Sequence, residues 1–236
     1  MRIISWNMHR KNGNWDFLLN DLDPDIALLQ ETSNAKDLGL NSFVSATTVK
    51  KNLRSSVYVK NGYFETVKLF KFSGMGLHCV KTVLPTMGEL YSMSIYGNLA
   101  YSPGLDFHLS GLISSCVQKI RSDDGARHIV IAGDFNMDRR MDDNPTGTRF
   151  AKYHERRQNV FFDSILSLGF QDCIGKFHPD FIQTYRHTRG NYPWQLDHMF
   201  ATPEVFSKLG SLEVRSDDHA KALSDHSPVI AEFDLS

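Results

Sequence analysis

Five short polar clusters stand at the edges of apolar runs: Trp6-Asn7, Gln30-Glu31, Gly133-Asp134-Phe135-Asn136, Leu196-Asp197-His198 and Ser224-Asp225-His226. Each supplies a carboxylate, a carboxamide or an imidazole where a buried strand would surface. A carboxylate in such a place is unfavourable unless it is paired or bound to a cation. The clusters are spread over the whole chain, so they converge only if the fold brings several strand ends together. Converging Asp, Glu, Asn and His side chains are what a divalent cation and a phosphate-cleaving site require.

Asp134 and Asn136 are two residues apart, so in an extended segment they point to the same side. One can orient a water while the other donates to a phosphate oxygen. Asp197-His198 and Asp225-His226 each place an Asp beside a His, and an imidazole held by a carboxylate is an acid–base or phosphate-binding device. Every cluster has a plainer counterpart. Glu31 could pair with a Lys or Arg, Asn7 could close a turn, and Ser224-Asp225 could be a turn before Pro228. The ordered set of five singles out the chemistry.

These groups need rigid elements to position them. Trp15, Leu18, Leu19 and Leu22 make one helical stripe, with Asn14 as a candidate cap and Pro24 as a stop. Leu109, Leu112, Ile113, Cys116, Val117 and Ile120 make a second, and Phe161, Ile165 and Leu168 a third that Gly169 closes. Strand-like runs cover 25–29, 56–59, 66–72, 78–84, 89–96, 128–132, 195–201, 211–214 and 228–233. Gly-containing turns in the middle third, such as Asn61-Gly62 and Met87-Gly88, predict antiparallel hairpins. Ile3 to Trp6 and the run before Gly133 are apolar on both faces, which marks central strands. Two packed sheets with helices outside accommodate both kinds.

The chain has 236 residues, 41% of them hydrophobic, and a net charge of −1. That supports a substantial core and gives no global pull toward nucleic acid or membrane, so polyanion binding would need a local basic patch. With no linker, repeat or charge block, residues 1–236 read as one domain. Cys79, Cys116 and Cys173 lack paired spacing, which argues against disulfides and a zinc site. Met1-Arg2 runs straight into an apolar strand, and no apolar run is long enough to span a membrane, so the expected location is the cytoplasm.

The residues at this point carry a family. From Trp6-Asn7 to Ser224-Asp225-His226-Ser227-Pro228, the sequence resembles the endonuclease/exonuclease/phosphatase superfamily. Compact bacterial members with Trp-Asn-Met-His-Arg early and Gln-Leu-Asp-His-Met-Phe-Ala late are most similar. The resemblance implies a four-layer α/β/β/α sandwich of two mixed, mainly antiparallel sheets flanked by helices, with the site at one end. It implies hydrolysis of phosphoesters by direct in-line water attack, using Mg²⁺ or Mn²⁺. Glu31 would be the main metal ligand, with Asn7 and Asp225 beside it. Asp134 would position or deprotonate the water, and Asn136 would hold the water or a non-bridging oxygen. His226, oriented by Asp197, would contact the scissile phosphate. At the end of a central strand, where members carry His or Tyr, this chain has Tyr96, with Asn98 a weaker candidate. Tyr there tilts the reading toward a nuclease. His9 stands where abasic-site enzymes have Asp.

In such a fold the loops rim the site. Arg139, Arg140, Arg149, Lys152, His154, Arg156 and Arg157, then Arg186, His187 and Arg189, offer phosphate contacts to a nucleic acid. Trp194 and Tyr192 could stack on bases. The alternative is a phosphatase, or a phosphodiesterase of a phosphorylated small molecule or lipid headgroup. Membrane insertion is not expected, because residues 60–72 are polar at the turn.

Overall fold

Why the first strand is apolar on both faces is answered by where it lies. In a computed structural model, which describes residues 1–11, 13–33, 43–47, 54–60, 64–69, 76–97, 105–141, 157–186 and 193–235, it is the centre of a sheet. β1 (Arg2–Asn7) pairs parallel with β2 (Ile26–Gln30) and antiparallel with β14 (Val229–Phe233). β13 (Leu209–Val214), β4 (Arg54–Val59) and β3 (Phe43–Thr47) complete a six-stranded sheet ordered β13-β14-β1-β2-β4-β3.

The second sheet also has six strands. They are β5 (Phe64–Thr66), β6 (Gly76–Leu84), β7 (Gly88–Tyr96), β8 (His128–Asp134), β12 (Asp197–Ala201) and β9 (Gln171–Asp172), in that spatial order. Only β7 and β8 run parallel within it. A parallel pair needs a crossover. Here α2 (Leu105–Asp124) supplies it, and between β1 and β2 α1 (Asn14–Asp16) runs on as a π-helix over Phe17–Leu22.

The layers follow from side-chain periodicity. Ile3, Ile26, Leu28, Val57 and Val229 of one sheet meet Val80, Leu90, Val130 and Met199 of the other. The second helical stripe, on α2, joins Phe161, Phe162 and Ile165 of α3 (Arg157–Ser167) in covering Tyr91, Met93, Ile129 and Ile131. Trp15, Phe17, Leu18 and Leu22 cover Ile4, Trp6, Ala27 and Leu29 on the opposite outer face. Burying each such side chain stabilises by roughly 1.5–3 kcal/mol. The result is the expected four-layer α/β sandwich.

Two local expectations need correction. Asn14 does not cap its helix. It is buried, and its Nδ2 donates to Met8 O at 2.6 Å and Leu223 O at 3.3 Å, so it ties the loop after β1 to the chain before Ser224. The run expected over 66–72 is strand only as Phe64–Thr66; Val67 to Leu69 lie outside any strand, and residues 70–72 lie outside the described region. As expected, the first helix ends just before Pro24: its last residue is Leu22, and Asp23, with a left-handed φ of 47°, is its C-cap.

The layer between the sheets changes character along its length. On its inward face β1 reads Ile3, Ser5, Asn7; β2 reads Ile26, Leu28, Gln30; β7 reads Leu90, Ser92, Ser94, Tyr96; β8 reads Val130, Ala132, Asp134. All are buried, and the polar ends lie at one edge. Gln30 Nε2 donates to Ser94 Oγ at 3.0 Å and Ser55 Oγ to Ser94 O at 2.9 Å, so side chains stitch the sheets together there. The period of two therefore carries each strand from core into site without a break in pleat.

Candidate active site

Register sets the centre of the polar edge. Asp134, the last residue of β8, lies opposite Asp197 on one side and beside Tyr96 on the other. Asn7 reaches across from the other sheet, and its Nδ2 donates to Asp134 Oδ2 at 2.9 Å. His226 Nδ1 meets Asp197 Oδ2 at 2.9 Å, while its Nε2 lies 3.7 Å from Asp134 Oδ2. The imidazole thus stands between two buried carboxylates. The loop carrying it is pinned from several directions. Trp6 Nε1 donates to His226 O at 3.1 Å, Ser224 Oγ donates to Asn7 O at 2.8 Å, and His226 N donates to Ser224 Oγ at 3.1 Å.

Two glycines let the backbones approach this closely. A Cβ on Gly133, whose φ is 154°, would strike the Ile95 carbonyl, and one on Gly97 would strike the Phe135 carbonyl. Gly97 N donates to Asp134 O at 2.7 Å. Asn136 reaches Asp134 by a route other than the extended alternation expected. Its φ is 54°, and this left-handed turn folds it back so that its N donates to Asp134 Oδ1 at 2.9 Å and its Nδ2 to Gly97 O.

Backbone strain concentrates at this edge. Of the five non-glycine residues with positive φ among the described residues, four are His9, Arg10, Glu31 and Asn136. Such conformations cost on the order of 1–3 kcal/mol each and persist where surrounding contacts hold them. Glu31 follows β2, and its φ of 49° turns its carboxylate toward Tyr96, whose hydroxyl donates to Glu31 Oε1 at 2.9 Å. His9 N donates to Asn7 Oδ1 at 3.0 Å, and Arg10 N to Glu31 O at 2.8 Å. His9 Nδ1 is 3.0 Å from Asp225 Oδ1, and Arg10 Nε is 3.0 Å from Glu31 Oε2.

The electrostatics follow from burial and these pairings. Burial drives the Asp134 carboxyl upward; the His226 charge and the bonds from Asn7 and Asn136 pull it back while Asp197 adds to the rise, leaving it at about 7. Burial by itself would lower His226, but the negative charges of Asp197 and Asp134 and the Asp197 hydrogen bond outweigh it and raise the imidazole to about 10. Tyr96 is raised by burial, then by Glu31 and Asp134. Burial also raises Tyr185, and Asp225, Asp134 and Glu31 each add to that rise, so all three acids lie around one aromatic ring.

Oxygen donors dominate the acidic side. Glu31 Oε2 and Asp225 Oδ1 are buried atoms that accept no hydrogen bond; Arg10 Nε stands against the first and His9 Nδ1 against the second. Carboxylates left this way suit a hard divalent cation. A second grouping, Asp134, Asp197 and His226, brings its ligand atoms within 4.8 Å of one another. In this second grouping His226 Nδ1 and the Asp134 oxygens are already engaged in hydrogen bonds.

The other described residues singled out in the sequence are held by contacts of their own. His198 points away from Asp197 across the strand; its Nε2 donates to Met137 O at 2.8 Å and its ring packs among Phe135, Phe162 and Phe200. Arg139 bonds Asn159 and Asp163 and lies over Phe162. Arg140 bonds Asp138 and Pro193 O and lies over Phe181. Arg186 donates to Ser227 Oγ at 2.7 Å and Ser224 O at 2.6 Å, clamping the loop that carries His226. Trp194 pairs with Tyr185 across the hairpin of β10 (Tyr185–Arg186) and β11 (Pro193–Trp194). Asn98, residues 149–156, His187, Arg189 and Tyr192 lie outside the described residues, and of Arg157 only the helical backbone is described.

Sequence reasoning missed Arg10, Tyr185 and Thr184. The Tyr185 ring lies 4.7 Å from that of His226, and Thr184 Oγ1 accepts from the backbone N of Leu196 and Asp197, fixing where β12 begins. Arg10 carries a faint signal, a cation three residues after a candidate ligand. Tyr185 and Thr184 carry none.

A two-sheet α/β sandwich with such an acid–imidazole edge defines a class, the phosphoester hydrolases. The chain belongs to the Endonuclease/Exonuclease/phosphatase family, whose model matches residues 4–226. Among solved structures it is similar to the 3′ phosphatase NExo from Neisseria bound to product DNA hairpin, at 22% identity and a TM-score of 0.73 over 99% of both chains. It is also similar to the AP endonuclease LMAP from Leishmania major, at 16% identity and a TM-score of 0.77, covering 98% of this chain and 86% of that one. An AP endonuclease from Archaeoglobus fulgidus is 18% identical with a TM-score of 0.70 over the whole of both chains. No curated protein matches the chain in sequence.

Proposed function

We propose that the protein is a Mg²⁺-dependent phosphodiesterase that cleaves nucleic acid by direct in-line attack of water. The observation that carries this is the buried Asp197–His226–Asp134 array facing Glu31 across one strand edge.

Its residues divide the work. Asp134, with a carboxyl near the operating pH, accepts a proton from the attacking water. Asn136 has its amide committed to Gly97 O and Asp134, which leaves its carboxamide oxygen to accept the water's other hydrogen. His226 keeps its proton at neutral pH because Asp197 holds Nδ1, so Nε2–H donates to a non-bridging phosphate oxygen. Tyr96 orients Glu31 through its hydroxyl. As the water oxygen bonds to phosphorus, the leaving oxygen departs on the opposite side. A Mg²⁺ ion held by Glu31, with Asn7 and Asp225 alongside, would neutralise the phosphate oxygens, and Mn²⁺ would find the same donors.

Nucleic acid is favoured by the Tyr185–Trp194 hairpin beside His226, an aromatic surface for a sugar or base, and by the DNA-directed activities named for the similar structures. A phosphorylated small molecule or lipid headgroup is the second reading. It is supported by Arg139 and Arg140, which are engaged in their own pairs rather than presented along a polymer track.

Turnover with Mg²⁺ on single-stranded DNA, duplex DNA, an abasic duplex, RNA, an inositol phosphate and sphingomyelin tests this, with Glu31→Ala run beside each. Glu31-dependent cleavage of a nucleic acid is expected. Cleavage of only the inositol phosphate or sphingomyelin would transfer the function to the second reading.

A further inference from the structure

Arg10 sits where its charge does something the proposed reaction has not used. Its guanidinium Nε lies 3.0 Å from Glu31 Oε2, and its backbone N donates to Glu31 O at 2.8 Å. Glu31 Oε1 already accepts from Tyr96, so the carboxylate is shared between one neutral donor and one cation. The two partners differ in exposure. The Glu31 side chain is 13% exposed and that of Arg10 is 50% exposed. Oε2 is buried yet accepts no aligned hydrogen bond, so its partner is a charge rather than a directed donor. Asp225 Oδ1, also buried without a hydrogen bond, lies 3.0 Å from His9 Nδ1. Both contacts come from one left-handed turn, His9-Arg10, held by Asn7 Oδ1 and Glu31 O rather than by the side-chain ions. The backbone can therefore stay in place while the guanidinium leaves.

We propose that Arg10 is an exchangeable counter-ion: it neutralises Glu31 in the metal-free protein, is displaced from Oε2 when a divalent cation binds, and then presents its guanidinium to the phosphate oxygens of the substrate. This rests on the reading of Glu31 as the cation's ligand. A buried carboxylate without a partner is unfavourable, so the metal-free state needs a cation from the chain itself. A half-exposed guanidinium is weakly held and reaches solvent once its partner is taken. Arginine suits the second task because its planar fork matches two phosphate oxygens.

The test is Mn²⁺ binding to the full chain by calorimetry, in wild type, Arg10→Gln, Arg10→Lys and Glu31→Gln. Arg10→Gln should bind Mn²⁺ roughly three- to tenfold more tightly, the scale expected when a partly exposed ion pair no longer competes. Arg10→Lys, which keeps the charge on the same backbone, should stay near wild type. Inorganic phosphate should then bind the Mn²⁺-loaded Arg10→Gln protein several-fold more weakly than loaded wild type. Unchanged or weaker Mn²⁺ binding in Arg10→Gln would overturn the exchange. Unchanged phosphate binding would overturn the second role. Undiminished Mn²⁺ binding in Glu31→Gln would instead refute the assignment of the metal ligand.

Discussion

The proposed reaction turns on one imidazole and the two carboxylates that flank it. His226 and Asp134 both have pKa values raised above their ordinary ones, so the folded state holds protons the unfolded chain would release. Stability of the metal-free protein therefore falls as pH rises, for Asp134 from 3.8 toward about 7, and for His226 from 6.5 through about 10. Thermal melts in EDTA from pH 6 to 10 should show a declining Tm that His226→Gln flattens. A Tm rising over that range would contradict the charge arrangement. At the same scale, Asp134→Asn removes the proton acceptor while keeping its shape. Turnover should drop by about 10²–10⁴-fold, and Tm should fall with it, because the new amide N–H₂ faces the Asn7 and Asn136 donors and His226 loses one of its two carboxylates. Retained turnover in steady-state assays would remove Asp134 from the mechanism.

At the scale of elements, strand ends and the turns that follow them do the positioning. Gly133 lets β8 lie against the Ile95 carbonyl while it delivers Asp134. Gly133→Ala must displace one of the two central strands, and a loss of roughly 1–3 kcal/mol in chemical denaturation is expected, with activity falling alongside. Arg186 serves the loop that carries Asp225 and His226. Arg186→Met should lower turnover more than it lowers Tm, because the clamp to Ser224 O and Ser227 Oγ orients the imidazole. Most of these elements were legible in sequence. β1, β2, β8 and β14 are mainly apolar runs, β7 and β12 carry apolar residues between polar ones, and the two long helices show regular stripes. The short ones, β9, β10, β11, α4 (Cys173–Phe177) and α5 (Pro203–Ser207), were not, because two to five residues show no period and owe their conformation to neighbours.

For the whole molecule, the net charge of −1 means that any polyanion is held by a local field. Arg139 and Arg140, proposed from sequence as phosphate contacts, bridge Asp163 and Asp138 and pack on aromatic rings. Neutralising both should lower Tm by several degrees and leave the salt dependence of nucleic-acid binding nearly unchanged. A salt slope reduced by about one per residue would return them to the substrate track. No helix among the described residues is long and apolar enough to cross a membrane. Exhaustive chelation should abolish turnover, and Mg²⁺ or Mn²⁺ should restore it; persistence in EDTA would rule out the cation's role.

By itself the sequence determined which side chains stand at the site edge, since a buried strand tolerates Asn, Asp or Glu only where it surfaces or is paired. Residue types and order along the chain also sufficed for the family and the layered fold. Tertiary structure alone decided which neighbours those side chains meet. Asp197 and His198 are adjacent in sequence, yet strand alternation sends one to His226 and the other into an aromatic cluster. Arg10 and Glu31 are an ion pair only because β1 and β2 lie parallel and end together. The physical reason is the same in both cases. Periodicity is written in one dimension, whereas charge pairing depends on distances that only the packed sheets set.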